Sequence, residues 1–128
     1  MVLKFRTKMT VVETQLVDGA GIMSTPIVKT RVKIEEAAVL VGAYFYADLL
    51  LNPDYPNSSI TSVYDPHPTV IGGTYSNLSL GITRKVQSGS YPATAKMSFD
   101  YVIPGVVSGR AILTLFVEDT SWYSNFDV

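Results

Sequence analysis

The residues best equipped for chemistry in this chain are few and scattered. His67 is the only histidine, and it stands in Tyr64-Asp65-Pro66-His67-Pro68-Thr69. A serine–histidine–carboxylate site needs its histidine held on a rigid element beside a serine and an acid. Two flanking prolines fix backbone more than they position a base. Asp65 and His67 offer two candidate metal ligands, and no third is spaced to join them. Glu35 and Glu36 are adjacent, so on a strand they point to opposite faces and form no evident acid–base pair; Glu118 and Asp119 share that problem. The chain has no cysteine, which removes thiol nucleophiles, disulfides and cysteine-based metal sites. Asp18-Gly19-Ala20-Gly21 and Gly72-Gly73 lack a following helix that would let them cradle a phosphate, and both read as turns. The expectation is therefore a protein that is not an enzyme, with no cofactor, no metal and no small-molecule substrate.

Charge is distributed more tellingly than it is abundant. Charged residues make up 16% of the 128, against roughly 25% in an ordinary soluble domain. Residues 1–34 hold six cations and two acids, a net +4, while the remainder holds four cations and nine acids, a net −5. Lys4, Arg6 and Lys8 alternate along one segment, and Lys29, Arg31 and Lys33 along a second. If the two pair as a hairpin, cations crowd each other across the ladder unless something offsets them. Solvent, an acidic patch on a neighbouring copy, or nucleic acid phosphates would each do so. The lack of interleaved exposed aromatics and the net charge of −1 weigh against free nucleic-acid binding.

The elements that carry these residues are read from period two. Leu3, Phe5, Met9 and Val11 alternate with Lys4, Arg6, Lys8 and Thr10. The phase slips at Val11-Val12, as at a β-bulge. In Ala37–Leu51 the odd positions form one apolar row and the even positions a mixed one. That predicts a strand packed fully on one side and partly covered on the other, with a buried helix as the lesser alternative. The shortness of the run and its interruption at Asp48 exclude a membrane helix. Asn52–Ser59 reads as a loop. Ile60–Tyr64 reads as a short strand broken by Asp65-Pro66-His67-Pro68. Leu78, Leu80, Ile82 and Val86 mark a longer one. Ala93–Ile103 alternates cleanly, Pro104-Gly105 suits a type II turn, and Arg110–Glu118 has apolar groups on both faces, as a central strand does. Residues 120–128 form a short aromatic tail in which Trp122, Tyr123 and Phe126 are candidate interface anchors or caps on the open end of the core.

The sum is an all-β, single-domain protein (1–128): an antiparallel β-sandwich (jelly-roll-like) or barrel of about eight strands, with an N-terminal hairpin over 1–35. The N-terminus does not read as a secretory leader, so Asn57-Ser58-Ser59 and Asn77-Leu78-Ser79 are expected to be chance matches to the glycosylation triplet. In texture the chain resembles small virion components of tailed bacteriophages, through composition and through no motif. That resemblance implies a non-enzymatic structural subunit that self-assembles in a capsid, decoration layer or tail. Its location would be the virion, or else extracellular or cytoplasmic, and its partners copies of itself and other virion proteins, without a membrane. Lys4, Arg6, Lys8, Lys29, Arg31 and Lys33 would form its electrostatic interface. The alternative is a carbohydrate-binding β-sandwich module using Tyr55, Tyr64 and Tyr75 as a stacking platform.

Overall fold

The computed structural model describes residues 6–17, 27–52 and 57–128, with side chains in 28–52 and 57–128. Lys4, Tyr55 and the Asp18–Gly21 turn lie outside the described residues, as do the side chains of Arg6 and Lys8. Eight strands follow one another: β1 (Arg6–Val17), β2 (Ile27–Ala37), β3 (Val41–Leu51), β4 (Ser59–Val70), β5 (Thr74–Arg84), β6 (Ala93–Ile103), β7 (Val107–Glu118) and β8 (Ser121–Asp127). They form two antiparallel sheets, each in chain order, β1-β2-β3-β4 and β5-β6-β7-β8. The fold is thus a β-sandwich of two meanders, in which consecutive strands of each sheet are neighbours, where most consecutive strands of a jelly roll pass from one sheet to the other. β4 packs over β6, β3 over β7 and β2 over β8. At one corner the sheets touch edge to edge, where Ile60 N donates to Lys85 O at 2.9 Å.

The core is the space between the layers, and strict alternation fills it. Phe45, Ala47, Leu49 and Leu51 from β3 meet Met97, Phe99 and Tyr101 from β6 and Leu113, Leu115 and Val117 from β7, all buried. Fully burying side chains of this size is worth about 1.5–3 kcal/mol each. The expected bulge is present: the β1–β2 register shifts between Val11 and Glu13, leaving Val12 as the extra residue. Pro104-Gly105 makes the expected turn, with Val106 N donating to Ile103 O at 2.9 Å and Gly105 at φ +75°, which only glycine adopts without strain. Gly73 has a different reason: a Cβ there would stand 2.1 Å from Val102 O.

Three expectations change. Ala37–Leu51 is not one strand, because β2 ends at Ala37 and β3 begins at Val41, with Ala38 N bonded to Val41 O at 2.8 Å across the turn. The turn itself contains only Ala38, Val39 and Leu40, so no Gly, Pro, Asn or Asp announced it. β4 runs straight through Asp65-Pro66-His67-Pro68. It is an edge strand, where prolines are tolerated, and Asp65 at φ +55° absorbs the irregularity between Tyr44 and Tyr46 in the β3–β4 register. Finally, residues 121–127 are no tail but the edge strand β8 beside β7.

Candidate functional site

The even row of β3 lies on the outer face of the first sheet, and it assembles the densest group of polar and aromatic side chains described. Cross-strand register sets the group. Arg31 stands opposite Asp48, Lys33 opposite Tyr46 and Glu35 opposite Tyr44; Tyr44 stands opposite His67, Tyr46 opposite Tyr64 and Asp48 opposite Ser62. Asp48 is the hub. Its carboxylate accepts from Arg31 Nε at 3.0 Å, Ser62 Oγ at 2.9 Å and Tyr64 Oη at 3.1 Å. Burial pulls the Asp48 pKa up, but these donors outweigh it and hold the carboxyl below its ordinary 3.8. Burial and the adjacent carboxylate push the Tyr64 phenol above its ordinary 10.0. Asp48 is therefore a fixed anion that organises its neighbours.

Around the hub the rings stand against one another. Tyr46 and Tyr64 stack with centroids 5.9 Å apart and planes 13° from parallel. Tyr44 and His67 stack at 4.9 Å, and Tyr44 meets Tyr46 edge-on at 6.0 Å. Cations cover further ring faces, with Lys33 Nζ 4.2 Å from the Tyr44 centroid and the Arg31 guanidinium carbon 5.7 Å from that of Tyr64. Lys33 also reaches Glu35 Oε2 at 3.2 Å, and that hydrogen bond holds its ammonium above the ordinary 10.5. At the turn end of this face a hollow of about 300 Å³ opens between Glu35, Leu40, Tyr44, His67, Thr69 and Ile71.

The sequence-derived cations are thus placed as follows. The hairpin forms, but its register relieves the crowding: Lys8 is opposite Glu35, Arg31 opposite Glu13, Lys33 opposite Thr10 and Lys29 opposite Gln15. The bulge at Val12 is what brings Glu13 to Arg31. Lys29 is exposed, whereas Arg31 and Lys33 are ion-paired. Of the C-terminal aromatics, Phe126 is 3% exposed within the core and Trp122 packs against it. Tyr123 faces outward and stacks on Phe116 at 4.9 Å. Tyr64 stands on the first sheet, in β4, and Tyr75 on the second, in β5. His67, exposed on β4, has the Tyr44 ring beside it rather than a serine–acid pair. Glu35 and Glu36 do part to opposite faces: Glu36 is buried between the layers, where its Oε1 accepts from Ser124 Oγ at 2.9 Å.

Sequence reasoning missed Tyr44, Tyr46 and Asp48 as members of one group with Arg31 and Tyr64. The mixed even row was the available signal, but its cross-strand partners were not readable without the register. A second polar group pins the opposite end of the sandwich. Gln87 donates to Asp119 Oδ1 at 3.1 Å and accepts from Asp119 N at 2.7 Å, while buried Ser58 donates to the Asp119 carbonyl. It ties three loops together.

No described protein family matches the sequence, and no curated protein matches it. Among solved structures the chain is similar to a hypothetical protein, lmo2686, of Listeria monocytogenes EGD-e. The TM-score is 0.60 and the identity 18%, over 96% of this chain and 94% of that one. The likeness concerns the fold alone.

Proposed function

We propose that the protein is a non-enzymatic structural subunit that self-assembles, with a bacteriophage capsid, decoration layer or tail as the setting its composition suggests. The observation that supports this best is the half-buried face of Tyr44, Tyr46, Tyr64, Arg31 and Lys33, with exposed His67 stacked on Tyr44 beside it. Tyrosine and arginine are the types that anchor protein interfaces. Here they are held in place by Asp48 and by each other, so docking would cost them little further side-chain entropy. A sugar would need open ring faces, and on this sheet ring faces meet rings and cations. On this face Asp48 and Glu35 are likewise engaged in holding neighbours.

Light scattering over a range of concentrations, at low and high salt, tests the proposal. The expected result is a concentration-dependent oligomer that Tyr46→Ala weakens without unfolding the domain. A monomer under every condition would sink it, and a glycan-array signal abolished by Tyr64→Ala would favour the carbohydrate-binding alternative instead.

A further inference from the structure

The strand order leaves an asymmetric margin. With β2 over β8 and β1 on the far side of β2, β1 projects one strand beyond the second sheet. The place beside β8 in that second layer is empty of this chain's described strands. The β8 edge is also unguarded. Ser121–Asp127 contains no Pro, Lys or Arg, the usual devices that blunt an edge, and its register with β7 is unbroken. The far margin differs: β4 carries Pro66, Pro68 and the Asp65 irregularity, and the β5 register is shifted twice.

We infer that the projecting β1 of one copy pairs with the β8 edge of a second copy, twice, about a two-fold axis lying between the layers and parallel to the strands. This deepens the self-assembly reading and rests on it. Four observations lead to it. The two strands run in opposite directions, because β1 is antiparallel to β2 and the facing β2 and β8 run alike. The joint is therefore antiparallel. Each projecting β1 fills the gap left by the partner's shorter sheet, so both layers become continuous. A two-fold perpendicular to the sheets, which would set β8 beside β8, drives β1 into the partner's β2 and is excluded. Charge also selects the pair: Arg6 and Lys8 disfavour β1 beside β1, whereas β8 carries the single charge Asp127.

The height match is fixed by internal contacts. Thr7 is opposite Glu36 in the register, and Glu36 bonds Ser124, so Thr7 and Ser124 lie at one level. The symmetry axis preserves levels, which sets Arg6 level with Asn125 and two positions along the strand from Asp127, a spacing at which opposite charges on paired strands attract. Three residues along each strand in opposite directions, Thr10 comes level with Ser121.

The absence of native cysteine makes disulfide trapping clean. The double variant Thr10→Cys/Ser121→Cys, oxidised mildly, should run as a covalent dimer and nothing larger on a non-reducing gel, while each single variant stays uncrosslinked. Asp127→Lys should raise the dimer dissociation constant by about tenfold, and adding Arg6→Glu should restore it. A ladder of higher covalent species would overturn the two-fold joint in favour of a head-to-tail one. Oligomers by light scattering without any crosslink, and insensitive to Asp127→Lys, would overturn the joint while leaving self-assembly standing. A monomer throughout would remove both.

Discussion

The two sheets bury their inner faces alike but treat their outer faces differently. On the first sheet, the outer row of β3 is half-buried, and Asp48 gathers three donors from β2 and β4. On the second, the outer face is built from Thr94, Lys96, Ser98, Thr114 and Asn125, with one exposed ion pair, Arg110 Nη1 to Asp100 Oδ1 at 3.2 Å, and one stacked pair, Phe116 and Tyr123. The same interaction types therefore carry different weights. A charge pair in water trades one set of partners for another and nets about 0–1 kcal/mol. A carboxylate stripped of most of its water depends on the donors that replace it.

Removing each hub separates the faces most sharply. Asp48→Ala removes the acceptor that Ser62 and Tyr64 share with Arg31 and should cost about 2–4 kcal/mol in urea unfolding. Asp100→Ala, on the second sheet, should stay within about 0.5–1 kcal/mol; equal losses would erase the contrast. Acid gives a second route to the same comparison. Because the Asp48 pKa is lowered on folding from 3.8, its stabilisation is complete above that value and is lost as pH falls through the lower folded-state pKa. The stability gap between wild type and Asp48→Asn should accordingly be flat above pH 3.8 and narrow below it, and a gap unchanged to the acid end would show that charge is not what holds the hub. A smaller effect isolates one hydrogen bond: Tyr64→Phe should cost about 1 kcal/mol, against less than about 0.5 for Tyr123→Phe on the second sheet. Smallest is Lys33→Ala, which loses a partly exposed cation–π contact and ion pair, about 0.5–1 kcal/mol. Thermal denaturation beside Lys96→Ala, from the second sheet's outer face, would show whether the difference is measurable.

Much of the fold was legible because period two is written residue by residue. Ala93–Ile103 alternates in sequence and alternates in burial, and the doubled valine at 11–12 announced its bulge. Arg110–Glu118 was readable as central from the apolar residues on both of its faces, which mark a strand covered on two sides, and it lies between β6 and β8. The turn at Ala38–Leu40 was not legible: its backbone is satisfied by Ala38 N donating to the Val41 carbonyl and by Ile71 N donating to the Leu40 carbonyl, rather than by turn-forming side chains. Nor was the persistence of β4 through two prolines, which depends on that strand lying at an edge. Edge position is a property of the sheet and not of the segment.

The candidate site divides the same way. Sequence by itself determined which residues would face away from the core, because side-chain direction follows parity along a strand, and it determined the excess of cations in the first 34 residues. Tertiary structure alone decided what those residues would meet. A shift of one residue in the β1–β2 register would remove Glu35 from Lys8 and Glu13 from Arg31, and the same shift in β2–β3 would separate Arg31 from Asp48. Register is settled by the summed burial of the inner rows, a sum over the whole sheet. So two cations of a stripe that reads in one dimension as crowded positive charge, Arg31 and Lys33, become, once folded, the partners of Asp48 and Glu35.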